Sequence, residues 1–225
     1  MPSLADSYPG LVEALTERYG SPAPEADEPD PFAAVLAAFL ARSIEPRKAR
    51  AALAGLRDAG LLDPEALAEA DPAEVAEAIK GAGVRLAPKG LRPLQRLARW
   101  AADRGADSLR EGPTESLREE LRAINGVGPS GADAILLSGL GRAVYPVDRA
   151  SFRILLRHGW LDSSADYEEA RDVVEQLAAD EPAALARLSA WMERVGVEFC
   201  RPGVAKCERC PLRPFLPEGG PREFD

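Results

Sequence analysis

Cysteine is scarce in this 225-residue chain: there are three, two of them in a Cys-x-x-Cys. That is too few for the disulfide framework of a secreted scaffold. Lysine is rarer still among the bases, with only Lys48, Lys80, Lys89 and Lys206 beside 24 Arg. Val, Ile and Thr are sparse, and no stretch alternates apolar and polar residues long enough to predict a strand. Long hydrophobic runs are absent. The best, Phe32 to Leu40, is rich in Ala and stops before Arg42, well short of the roughly 18 residues of a membrane-spanning helix. Met1 to Asp6 lacks the basic and apolar parts of a secretion signal, so a cytoplasmic protein is expected. The single His leaves the net charge at −9.

An acidic chain repels phosphate on average, but the charge is unevenly spread. In residues 1–30 seven acids face only Arg18, which leaves the remainder close to balance. A locally basic face, built mostly of Arg, is therefore compatible with the composition.

What is abundant is Ala, and with it helix propensity. Leu4 to Tyr19 reads as a first helix, and Ser21 to Pro31 as a solvated acidic linker. Pro31 and Pro46 open further helices, and Asp63-Pro64 and Asp71-Pro72 each set a capping Asp before a first-turn Pro. Pro88 to Trp100 carries Leu91, Leu94, Leu97 and Ala98 along one side. Ser116-x-x-Glu119 has the pattern of a capping box opening a helix to Ile124. Segments 147–156, 167–178 and 182–195 complete an all-α architecture.

Ile124-Asn125-Gly126-Val127-Gly128 interrupts two of these helical segments. Paired glycines let the backbone turn tightly and bring amide N–H groups to the start of the following helix, a place for a phosphate oxygen that needs no Lys or Arg. Taken alone, a Gly-x-Gly between helices is usually only a turn. The next segment adds Pro129 to Leu137, then Tyr145-Pro146-Val147-Asp148, with Arg153 five residues beyond. This ordered run resembles the helix-hairpin-helix DNA glycosylases, the endonuclease III and adenine glycosylase superfamily. Gly126, Val127, Gly128 and Ala132 match its Leu-Pro-Gly-Val-Gly-x-x-x-Ala hairpin, with Asn125 in place of Pro. Asp148 falls on the family's catalytic aspartate, Arg153 on its Arg, and Ile79-Lys80-Gly81-Ala82-Gly83 on its Ile-Lys-x-x-Gly turn.

The departures carry their own implications. Ser130 stands where the lyase branch has the Lys that attacks sugar C1′ and forms a Schiff base. A hydroxyl cannot form an imine. Ser here resembles the adenine glycosylase branch, which hydrolyses the glycosidic bond with water, and Asp148 would then stabilise the oxocarbenium-like sugar and help activate that water. Without the resemblance, Asp148 is a helix N-cap, a role compatible with the other. Ser43 lies where lyases have a Gln that fills the gap left by the flipped base, and Arg149-Ala150 replaces Thr-His.

Cys200, Cys207 and Cys210 reproduce the first three ligands of the family's Cys-x6-Cys-x2-Cys-x5-Cys iron–sulfur loop, while the fourth position is Leu216. The resemblance implies a 4Fe-4S cluster completed by a non-cysteine donor. Glu218, Glu223 and Asp225 are the acids downstream, and Asp225 is the favoured ligand. A zinc site using His158, or an empty loop, are the alternatives. Arg201 and Lys206, between the first two cysteines, are placed to meet DNA phosphate; their plain reading is solvated charge.

The expected fold is two helical lobes: a six-helix bundle over 30–142 ending in the hairpin, and a second domain of 1–29 with 143–225 ending in the cysteine loop. Double-stranded DNA with a damaged or mismatched base is the expected partner of a monomer, bound in the groove between lobes with one nucleotide flipped. The expected activity is N-glycosidic hydrolysis in base excision repair, with strand cleavage weak or absent. A non-catalytic binder of lesions or abasic sites is the alternative.

Overall fold

The computed structural model describes residues 3–22, 30–178 and 181–222, and these are all-helical, without a strand. Of the segments singled out above, residues 23–29 of the acidic linker, Glu223 and Asp225 lie outside the described residues. No helix among the described residues is long and apolar enough to cross a membrane. The chain divides into two compact units, Ala26–Arg142 and Met1–Glu25 with Ala143–Asp225.

The first unit carries seven α-helices among its described residues: α2 (Pro31–Ala41), α3 (Pro46–Asp58), α4 (Pro64–Glu69), α5 (Pro72–Gly81), α6 (Pro88–Arg104), α7 (Thr114–Ala123) and α8 (Gly128–Ala134). Proline sets five of the starts, α2 to α6, because its fixed φ suits the first turn and its missing N–H costs nothing there. Asp30, Asp63 and Asp71 cap three of these by accepting backbone N–H groups. α2 is apolar on nearly every face because it lies in the middle, with Phe32, Val35, Leu36 and Leu40 buried. α7 departs from the expected capping box. It begins at Thr114 after Pro113, with no side-chain cap, which places Ser116 inside the first turn instead of at its head. Beyond α8 the helix widens into a π turn, Ile135–Gly139, whose apolar residues face α2.

In this unit the only described ion pair with both partners buried joins the two helices of the hairpin. Arg118 of α7 donates from Nε to Asp133 Oδ1 of α8 at 2.7 Å, with the two side chains 3% and 0% exposed.

The second unit holds α1 (Leu4–Tyr19), α9 (Arg149–Arg157), α10 (Tyr167–Glu175), α11 (Pro182–Glu198) and the cysteine loop. Leu11, Leu15, Ile154, Leu155, Leu188 and Val195 form its core, together with the aromatic residues Tyr145, Trp160 and Trp191. α9 and α11 approach closely at Gly196, where any Cβ would collide with Ala150. That contact requires a small residue at both positions, which accounts physically for Ala150.

Candidate functional site

The hairpin is built by its glycines and by α6. Gly126 has φ +99° and Gly128 φ +68°, values that L side chains rarely adopt. A Cβ on Gly126 would lie 2.5 Å from Pro93 Cγ, so the turn is pressed against the proline inside α6. Arg96 of α6 donates to the Asn125 carbonyl at 2.7 Å and fixes the turn from the same side. Val127 is buried, which turns the polar backbone of its neighbours outward.

Ser130, half-buried on α8, accepts a hydrogen bond from Arg42 Nη2 at 2.7 Å. Arg42 caps the C-terminus of α2 and is not a residue that the sequence singles out; no local pattern joins positions 88 apart. Ser43, which the sequence does single out, is exposed and closes the same turn through its N–H to the Leu40 carbonyl. Of the described lysines in this unit, Lys48 pairs with Glu45 and Lys80 with Glu77.

Asp148 is the N-cap of α9. Its Oδ1 accepts the Ser151 N–H at 2.6 Å, while Oδ2 makes no hydrogen bond to a described residue. The cap is braced from beneath, since buried Ser151 shares a 2.9 Å hydrogen bond with the Tyr145 hydroxyl, and the Tyr145 N–H donates to Glu175. One carboxylate oxygen thus fixes the side chain and the other stays available.

Cys200, Cys207 and Cys210 line one pocket with Arg157, His158, Phe199, Arg213 and Leu216. A single bridge between Cys200 and Ala205 closes the intervening loop. Burial pushes the Cys210 thiol up to about 11 and raises Cys207 as well, and the neighbouring cysteines add to both shifts. The three thiols therefore face a common space. Yet no three His, Cys, Asp or Glu among the described residues converge to hold one ion. His158 is also committed: Nδ1 lies 2.9 Å from the Ile154 carbonyl and Nε2 3.2 Å from that of Leu212. Among the described residues, four donors do not meet at one point as a zinc ion requires. Thiols are the donors that an iron–sulfur cluster takes, and three of them line this pocket, with Leu216 as apolar wall.

Arg201 and Lys206, with Arg18, Arg209, Glu198 and Phe199, line a cavity of about 240 Å³ beside this loop. Glu198 is already paired with Arg18 at 3.3 Å. Arg18 and Arg209 are the cations here that sequence spacing alone did not reveal.

No family model matches the chain. Endonuclease III of Sulfolobus acidocaldarius is 27% identical over 185 residues, 82% of this chain and 80% of that protein. A Methanocaldococcus jannaschii protein that carries the name of a DNA repair glycosylase is 26% identical over 189 residues, covering 82% and 84%. Among solved structures, a trapped endonuclease III–DNA covalent intermediate gives a TM-score of 0.71 at 19% identity, over 97% of this chain and 98% of that one. A thermostable thymine-DNA glycosylase gives 0.63 at 19%, over 92% and 94%. The likeness to these structures is one of fold.

Proposed function

We propose that this chain, similar to endonuclease III and other DNA glycosylases, is a divergent helix-hairpin-helix DNA glycosylase and a monofunctional N-glycosylase of base excision repair. Its substrate is double-stranded DNA bearing a damaged or mismatched base. The observation that carries the reading is Asp148, held by its cap with one carboxylate oxygen unengaged. A binding surface for phosphates gains nothing from a carboxylate, whereas a cationic sugar does.

In the reaction, water oxygen bonds to C1′ and the bond from C1′ to the base nitrogen breaks, its electron pair leaving with the base. Positive charge builds on the sugar in the transition state, and Asp148 stabilises it electrostatically. Asp148 also accepts the proton that the attacking water loses, which then reaches the departing base. Ser130 offers no amine, so no imine forms and the strand stays intact. Gly126, Val127 and Gly128 would dock a phosphate through backbone amides, and Ser43 would lie beside the base stack. Arg201 and Lys206 would meet a second phosphate at the cationic cavity.

Cys200, Cys207 and Cys210 would hold an iron–sulfur cluster, with Asp225 proposed as the fourth ligand. When bound, such a cluster supplies a covalent tie that fixes the loop. The chain would act as a monomer in the cytoplasm.

The test is a panel of duplexes, each with one lesion, with products resolved before and after alkali. Base release that becomes strand breakage only after alkali supports the proposal. Breakage before alkali identifies a lyase. Tight lesion binding with no release in single turnover identifies a non-catalytic binder instead.

A further inference from the structure

Arg42 is an unbalanced cation in an acidic protein. Its Nη2 lies 2.7 Å from Ser130 Oγ, and no carboxylate pairs with it among the described residues. The nearest acid along α8, Asp133, is buried against Arg118. The guanidinium has donors beyond the one given to Ser130. Because a guanidinium only donates, Ser130 Oγ accepts here, and its own proton must point elsewhere. The pair therefore presents a positive charge, the remaining guanidinium donors and the Ser130 hydroxyl proton.

We propose that Arg42 is a specificity-determining residue: acting with Ser130, it selects neutral bases that carry carbonyl acceptors and rejects bases that carry a positive charge, such as N-alkylated cations. This rests on the reading above that Ser130 faces the flipped nucleotide. A charge of the same sign within reach of a cationic base costs affinity, while the donors reward a carbonyl edge. The same charge steadies the electron pair arriving on a neutral base as its bond to C1′ breaks. A base already cationic leaves as a neutral molecule and gains nothing from it.

The experiment compares shape-matched lesions in otherwise identical duplexes: 3-methyluracil against cationic 3-methylcytosine, and 7-methyl-7-deazaguanine against cationic 7-methylguanine. Equilibrium binding is measured with the full chain carrying Asp148→Asn, so that no turnover intervenes. The neutral member of at least one pair should bind about tenfold or more tightly than its cationic partner. Arg42→Gln should shrink that ratio to less than about threefold, and Arg42→Lys, which keeps the charge, should restore most of it. Equal binding of both members, or a ratio unmoved by Arg42→Gln, overturns the inference. Single-turnover base release by the chain with Asp148 intact tests the glycosylase reading separately. If no base is released but the binding ratio still follows the charge at position 42, the inference stands and the enzyme reading falls.

Discussion

Arg153 donates from Nε to the carbonyl oxygen of Cys200 at 2.7 Å, tying the helix that Asp148 caps to the first cysteine of the loop. Arg157, one turn further along α9, repeats the tie. Its Nη1 lies 3.2 Å from Cys200 Sγ and 3.0 Å from the Arg201 carbonyl. Arg153 also reaches back to the Arg149 carbonyl in the first turn of its own helix. The helix that carries the proposed catalytic carboxylate is thus hydrogen-bonded to the cysteine loop.

Asp148 serves as both cap and proposed catalyst, and the two roles separate by substitution. Asp148→Asn keeps a side-chain oxygen for the Ser151 N–H, so stability should hold. Base release should fall by about 100-fold or more in single turnover. Affinity for lesion DNA should be equal or higher, because a negative charge near phosphates is gone. Asp148→Ala should in addition lower stability by about 1 kcal/mol. An unchanged rate in the Asn variant removes Asp148 from the mechanism.

Borohydride added with lesion-bearing or abasic DNA should trap little or no covalent complex, since Ser130 has no amine and Arg42 beside it is not a nucleophile. Efficient trapping, mapped to a lysine or to the N-terminus, contradicts the monofunctional reading. Ser130→Lys is the converse test. It would place two cations together against Arg42, so the new amine should have a lowered pKa and gain some trapping.

Much of the fold is legible in the sequence because its signals are local. Proline at the first turn and Asp before it mark α2, α4 and α5, and both act within three residues. The misplaced start of α7 has a local cause too: Thr114 follows Pro113, and the helix takes that earlier start over Ser116. What the sequence hides is long-range. Arg42 with Ser130, and Arg153 with Cys200, are polar residues whose partners lie 88 and 47 positions away. Arg118 and Asp133 look like surface charges until the hairpin folds them against each other.

That buried pair makes a stability prediction. Removing Asp133 takes the buried carboxylate from Arg118 and leaves it the exposed Glu115 at 3.5 Å, so Asp133→Ala should cost about 3 kcal/mol, read from denaturant unfolding. Replacing both, as Arg118→Met with Asp133→Leu, should cost much less. Additive losses in the double variant would show that the pair is not the source of the penalty.

The hairpin glycines differ in what they protect. A Cβ at Gly126 meets Pro93, so Gly126→Ala should distort the turn and lower stability. Gly128 has open space around its Cβ position, and only its φ of +68° resists a side chain. A bulky residue there should obstruct a phosphate and weaken binding to every duplex alike. Backbone amides release few counterions, so the salt slope should change by about one unit at most. A loss confined to one lesion type would place Gly128 at the base instead.

The cysteine loop gives the last prediction. Three thiols share a pocket with Leu216, and each ring nitrogen of His158 faces a backbone carbonyl, so among the described residues no set of four donors is complete. Protein purified anaerobically should be brown and carry about four irons per chain, with Asp225 as the proposed fourth ligand. Oxygen is the harder donor, and its iron should be the first lost, so Asp225→Ala should fall to about three irons. Cys207→Ser should lose the cluster outright, and the consequence should travel. With the loop released from its thiolate ties, Arg153 and Arg157 lose a fixed anchor at Cys200, and trypsin should cut after Lys206 or Arg209 sooner than in the intact protein. Colourless, iron-free protein from anaerobic cells removes the cluster altogether, and four irons retained in Asp225→Ala moves the fourth ligand elsewhere.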